Sequence, residues 1–158
     1  MSESVFIETT IPSYHAARAS RDIVQAARQE LTIEWWAARR SAYRLYTSQP
    51  VLAEVARGDQ EMAAARLKLL EEVPLLAITE DVISVAESLI DKGIIPDKVA
   101  DDALHISCAA VHEMDYLLTW NCRHIANPHN QRRIRAVLDD HAYETPVICT
   151  PEEFMENE

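Results

Sequence analysis

Oxygen-bearing side chains at four separated points of the chain are the residues best suited to chemistry: Glu8, Glu54, the pair Asp101-Asp102, and Asn121. Carboxylate and amide oxygens are hard donors, the kind a small divalent cation takes in low number while keeping several of its waters. Asp101 and Asp102 stand at the mouth of a helix that is apolar on nearly every side from Ala103 to Val111, which marks a helix buried inside the molecule. Carboxylates beside an apolar core are costly unless a cation or hydrogen bonds compensate them. Two of them about 4 Å apart repel by roughly 4 kcal/mol at an effective dielectric near 20, so a metal-free site would hold a proton or a cation. A blander account of the aspartate pair is the helix dipole, which favours acids near any helix N-terminus.

His105, Cys108 and His112 fall on one face of the same helix and offer a different chemistry, a zinc or other soft-metal site. Within an apolar helix such residues are more often core, and that is the expectation here.

The elements that must position these groups follow from periodicity and turn signals. Val5-Phe6-Ile7 reads as a buried strand ending at Glu8, with a polar turn and a helix starting near Pro12. Apolar spacing from Arg21 to Arg40 predicts a long helix, and Tyr43 to Thr47 a second strand. Ser48-Gln49-Pro50 opens a helix that carries Glu54 one turn in, with Ser48 as its cap. Gly58-Asp59 interrupts before an amphipathic helix from Gln60 to Glu72. Pro74 to Ile78 is a third strand, Thr79 caps a helix from Val82 to Lys92, and Gly93 closes it. Pro96 and Asp97 signal the start of the buried helix. Tyr116 to Thr119 is a fourth strand, Gln131 to Leu138 an arginine-rich helix, Pro146 to Cys149 a fifth strand, and Thr150 to Glu153 a last capped turn. Short apolar strands alternating with helices imply an α/β fold: three αβα layers around a parallel sheet of about five strands. Ligands of such sheets sit beyond the carboxyl ends of the strands. Glu8, Glu54, Asp102 and Asn121 all fall at that edge.

At 158 residues, without repeat or linker, the chain is expected to form a single domain spanning 1–158. A net charge of −11 argues against a broad basic face for nucleic acid. It leaves room for an enzyme that meets phosphates through metal ions. Only Gly58 and Gly93 are glycines, which excludes GxGxxG and P-loop nucleotide sites. The apolar runs are too short and too charged for a membrane span, and no signal peptide is visible at the start. Cys108, Cys122 and Cys149 are odd in number and lack CxxC spacing, which fits reduced thiols in a cytoplasmic protein.

The layout resembles the PIN domain, and in particular the VapC-type toxin ribonucleases. The residues that carry the likeness are Val5-Phe6-Ile7-Glu8-Thr9-Thr10, Glu54 within Pro50-Val51-Leu52-Ala53-Glu54-Val55, Asp102 within Ala100-Asp101-Asp102-Ala103-Leu104-His105-Ile106, and Leu117-Leu118-Thr119-Trp120-Asn121. The resemblance implies Mg²⁺ or Mn²⁺ held by Glu8, Glu54, Asp102 and Asn121 as metal-binding and catalytic residues, with Thr9 or Thr10 in support. Two positions depart from the family pattern: a glutamate stands at the first acid, one methylene longer, and a neutral amide at the last. Asp101 could offset the lost charge as a cap or outer support.

The activity so implied is endonucleolytic hydrolysis of RNA, in a toxin partnered by a small antitoxin and dimeric. Arg123, His124, Arg132, Arg133 and Arg135 are candidates to hold the RNA backbone, although Arg132 and Arg133 individually read as a solvated helix face. Tyr14 and His15 could touch substrate, with packing favoured for Tyr14; Trp35, Trp36 and Trp120 read as core or interface. The alternative is a PIN-like module for RNA or protein binding that has lost efficient catalysis, supported by Glu8 and Asn121. A phospho-receiver domain is disfavoured, because it needs an acidic pair after strand one and a lysine after a late strand.

Overall fold

A computed structural model describes residues 2–155. Within them five strands form one all-parallel sheet: β1 (Ser4–Ile7), β2 (Arg44–Ser48), β3 (Leu75–Leu76), β4 (Tyr116–Leu118) and β5 (Val147–Cys149), in the order β3-β2-β1-β4-β5. Among the described residues seven α-helices connect and cover them: α1 (Thr10–Ala16), α2 (Ile23–Ala38), α3 (Gln49–Val55), α4 (Gln60–Leu69), α5 (Glu80–Asp91), α6 (Ala100–Val111) and α7 (Pro128–Asp140). The α/β architecture with about five short parallel strands is the one expected. Every residue of β1 is buried, as a central parallel strand covered on both faces requires.

The strand order matters for function. From β1 the chain winds outward through β2 to β3, then returns to the other side of β1 as β4 and β5. The crevice above β1 and β4 is therefore the topological switch point, where open parallel sheets bind ligands. Ile7 pairs with Leu118 in register, which places Glu8 and Thr119 next to each other just past that edge.

Several boundaries differ from those read in the sequence, each for a local reason. Pro96 is extended and Asp97–Val99 form a single 3-10 turn, so α6 starts at Ala100 and Asp97 makes no side-chain cap. The effect is to set both Asp101 and Asp102 in the first turn. Ser48 occupies the N-cap position of α3, yet its hydroxyl makes no cap bond and is buried without a partner among the described residues. The second helix yields at Ala38 to a 3-10 turn over Arg40–Ala42. The third strand shrinks to two residues. Conversely α7 begins early, at Pro128, because Asn127 caps the His129 amide and proline suits the first turn.

Other signals act as read. Thr79 accepts from the Val82 amide, and Gly93, at φ 73°, takes the left-handed conformation past the end of α5. Thr150 and Glu153 cap each other reciprocally in the final turn, each accepting from the other's backbone amide. Trp35, Trp36 and Trp120 are all core residues. Trp35 lies among Tyr43, Trp36 and Phe154, and the Trp120 indole donates to Thr32 Oγ1 at 2.7 Å. No helix among the described residues is long and apolar enough to cross a membrane. The cysteines are free; burial pushes the Cys108 and Cys149 thiols up to about 12, while Cys122 is exposed.

Candidate metal centre

Glu8 leaves the end of β1 and is only 2% exposed. Three donors converge on its Oε1: the Thr10 amide at 3.0 Å, the Thr10 hydroxyl at 2.5 Å and the Thr119 hydroxyl at 2.7 Å. Thr10 is itself anchored, since its hydroxyl accepts from the Trp120 amide at 2.7 Å. All three bonds use one carboxylate oxygen, so the glutamate is held firmly without drawing on Oε2. The extra methylene of Glu8 is accommodated by donors from both flanking turns, one after β1 and one after β4.

Asp102 stands in the first turn of α6, 8% exposed. The Asn121 side chain hydrogen-bonds to it, while Asn121 Oδ1 accepts the His124 amide at 3.0 Å. Those two contacts fix the amide's orientation: the oxygen faces the backbone and the NH₂ faces Asp102. Glu54, partly buried on α3, receives the Thr9 hydroxyl at 2.6 Å and lies 2.5 Å from His105 Nε2, both through Oε1. Thr9 thus serves Glu54 and Thr10 serves Glu8.

His105 is the residue that the sequence reading did not bring to this site. It follows Asp102 by three positions, so helical spacing sets it one turn deeper on the same face, and it is completely buried. Ligand atoms of Glu8, Asp102 and His105 lie within 4.8 Å of one another. Cys108 and His112 join no such cluster among the described residues; His112 Nε2 meets the Ala77 carbonyl at 2.7 Å instead. Thr119, the third donor to Glu8, was also missed, although its place beside Asn121 in the strand-end motif pointed to it.

Burial raises the pKa of Glu8 above the ordinary carboxylate value, against the charge of His105 and the bonds from Thr10 and Thr119. Burial likewise raises Asp102, against the Asn121 bond and the charges of His105 and His124. For Glu54 burial is outweighed by His105, Thr9 and Arg57, and its pKa is lowered. Burial opposes a proton on His105, but the Glu54 bond and the charges of Glu8, Glu54 and Asp102 outweigh it and hold its pKa up. Three carboxylates therefore face one imidazole, a cluster short of positive charge and rich in oxygen. That donor set fits a divalent cation.

Around the rim, Arg57 Nη2 lies 4.0 Å from Asp101 Oδ2. His124 acts electrostatically on Asp102 from the turn after β4, and Arg123 beside it is exposed. Arg132, Arg133 and Arg135 lie exposed on α7; Arg133 Nη2 donates to the Lys92 carbonyl at 3.2 Å, at the end of α5 rather than at the carboxylates. Tyr14 packs edge-on against Trp120 and His15 against Trp36. A cleft of about 900 Å³ lined by His15, Arg40, Tyr43, Arg44, Tyr46 and Lys68, among others, contains none of the clustered carboxylates. Concavity alone would select that cleft; charge and chemistry select the sheet edge.

No protein-family model matches the chain, and no curated protein matches it in sequence. Its structure is similar to a chain in the crystal structure of VapBC2 from Rickettsia felis bound to a DNA fragment from their promoter, with a TM-score of 0.52 at 15% identity over 93% of this chain and 98% of that one. At that identity the likeness is one of fold, and the fold is PIN-like, as the ordered motifs of the sequence led one to expect.

Proposed function

We propose that the protein is a metal-dependent endoribonuclease of the PIN/VapC type. The observation that carries this reading is the convergence of two buried carboxylates, Glu8 and Asp102, with Glu54 at the switch point of a parallel sheet. Glu8 and Asp102 would hold Mg²⁺ or Mn²⁺, with Glu54 completing the site. A bound cation there supplies an acidified water and charge stabilisation on phosphate oxygens. The chain's own residues do the rest. Thr10 and Thr119 keep Glu8 from turning away, and Asn121 orients Asp102. Thr9 and His105 fix Glu54. Arg57 and Arg123 offer cations, and His124 a ring N–H, to an RNA backbone at the rim, contacts that position a strand without reading its sequence; Arg132 and Arg133 would extend that path along α7.

The biological setting belongs to the same proposal: a cytoplasmic toxin, homodimeric, held in check by a small antitoxin protein. VapBC2 is a relevant precedent by fold. A second reading is favoured by one contact, because Asn121 presents an amide N–H₂ rather than an oxygen to Asp102. It is a PIN-like module that binds RNA or protein with little catalysis.

One assay separates the two. Purified protein with Mn²⁺ is incubated with structured and single-stranded RNA beside Asp102→Asn. Cleavage by the wild type alone, at least about a hundredfold faster than the variant, is the expected result. Equal cleavage by both would assign the activity to a contaminant, and RNA binding without cleavage by either would select the second reading.

A further inference from the structure

His105 carries an unresolved demand. Its side chain is fully buried. Nε2 is committed to Glu54 Oε1, while Nδ1 has no hydrogen-bond partner among the described residues. In neutral imidazole one nitrogen donates and the other bears a lone pair. With Nε2–H given to Glu54, Nδ1 is left buried with nothing to answer it, as a lone pair in the neutral ring or as a second N–H in the charged one. The ring meanwhile contributes an atom within 4.8 Å of carboxylate oxygens from Glu8 and Asp102. A histidine whose second N–H goes to a carboxylate is the usual arrangement behind a metal-ligating imidazole, because the carboxylate sets the tautomer and the ring angle. Thr9 extends the relay, donating to the same Glu54 oxygen at 2.6 Å.

We infer that the centre is a mixed oxygen–nitrogen site, with Glu8, Asp102 and the His105 imidazole as ligands and Glu54 as the residue that orients the ring. This rests on the metal reading above and sharpens it. Glu54 moves from direct ligand to positioning residue, and the site gains a preference among cations. Magnesium stays with oxygen ligands and water, whereas imidazole suits first-row transition ions such as Mn²⁺, Fe²⁺ or Co²⁺. The neutral Asn121 fits the same picture, since a nitrogen ligand replaces the donor that the amide does not provide.

The test loads purified protein with Mn²⁺ and records electron spin-echo modulation from the bound ion. Nitrogen-14 modulation from a directly coordinated imidazole is the expected result, with Mn²⁺ bound at least about tenfold more tightly than Mg²⁺ by calorimetry. In His105→Gln the nitrogen signal should vanish and the two affinities should approach each other; Glu54→Gln should keep the signal but weaken Mn²⁺ about tenfold or more. Bound Mn²⁺ without nitrogen modulation overturns the inference and leaves the oxygen-only metal reading standing. No bound Mn²⁺ overturns both. The wild-type spectrum decides even if the variants fail to fold.

Discussion

Thr10 is the side chain on which the carboxylate cluster most depends. Its hydroxyl donates to Glu8 and accepts from the Trp120 amide, and its own amide donates to Glu8 again. Valine has nearly the same shape but neither role, so Thr10→Val leaves the Trp120 N–H without its acceptor and Glu8 with one donor fewer. The expected loss is about 2 kcal/mol in urea unfolding, with Thr10→Ser restoring most of it. A loss well under half that size would mean that water replaces the hydroxyl. Much of this neighbourhood was legible in the sequence, because Glu8-Thr9-Thr10 and Thr119-Trp120-Asn121 each sit where a strand ends. His105 was not. Helical spacing grouped it with Cys108 and His112, whereas its partner Glu54 is 51 positions away, a pairing that only the packing of α3 against α6 creates.

The element that carries Asp102 is α6, and its fixity comes from burial rather than from capping. No side chain caps its start; instead Asp102, Ala103 and the stretch from His105 to Ala110 are all buried, so the sheet and α5 hold it in place. Reading an apolar helix behind two acids was therefore sound, but its onset was displaced. Pro96 and Asp97 do mark the chain's entry, yet proline holds its residue extended and a 3-10 turn intervenes; such turns leave no periodic signature distinct from a helix start. If burial is what fixes the element, Ile106, at 0% exposure, should matter far more than an exposed residue on its neighbour. Ile106→Ala is expected to cost about 3 kcal/mol and to weaken Mn²⁺ binding by loosening the helix under Asp102. Ile83→Ala on α5, where the side chain is 43% exposed, should stay within about 0.5 kcal/mol. Denaturant midpoints of the two variants, measured side by side, check the contrast. Equal costs would place the rigidity of α6 elsewhere.

Across the whole molecule, the order β3-β2-β1-β4-β5 gathers acids from β1, α3 and α6 into one crevice, in a chain that already carries a net charge of −11. Alternating strands and helices announced the parallel sheet, but strand order, and so the crevice itself, depends on which crossovers pack together. The electrostatic consequence is a stability that depends on pH with a definite sign. Glu8, Asp102 and His105 all have pKa values raised above their ordinary 4.5, 3.8 and 6.5. Groups raised on folding contribute stability below the unfolded pKa and lose that contribution as pH rises through the folded one. Glu54 runs oppositely: lowered from 4.5, it contributes above that value and loses its part only in acid, so it is constant from about pH 5 upward. The Tm of chelator-treated protein is therefore expected to fall between about pH 5 and pH 8. Saturating Mn²⁺ should raise the Tm more at the upper end than at the lower, because the cation takes over the compensation that protons provide in acid. A metal-free Tm that climbs through this interval, or an Mn²⁺ shift of equal size at both ends, would contradict the charge balance assigned to the crevice.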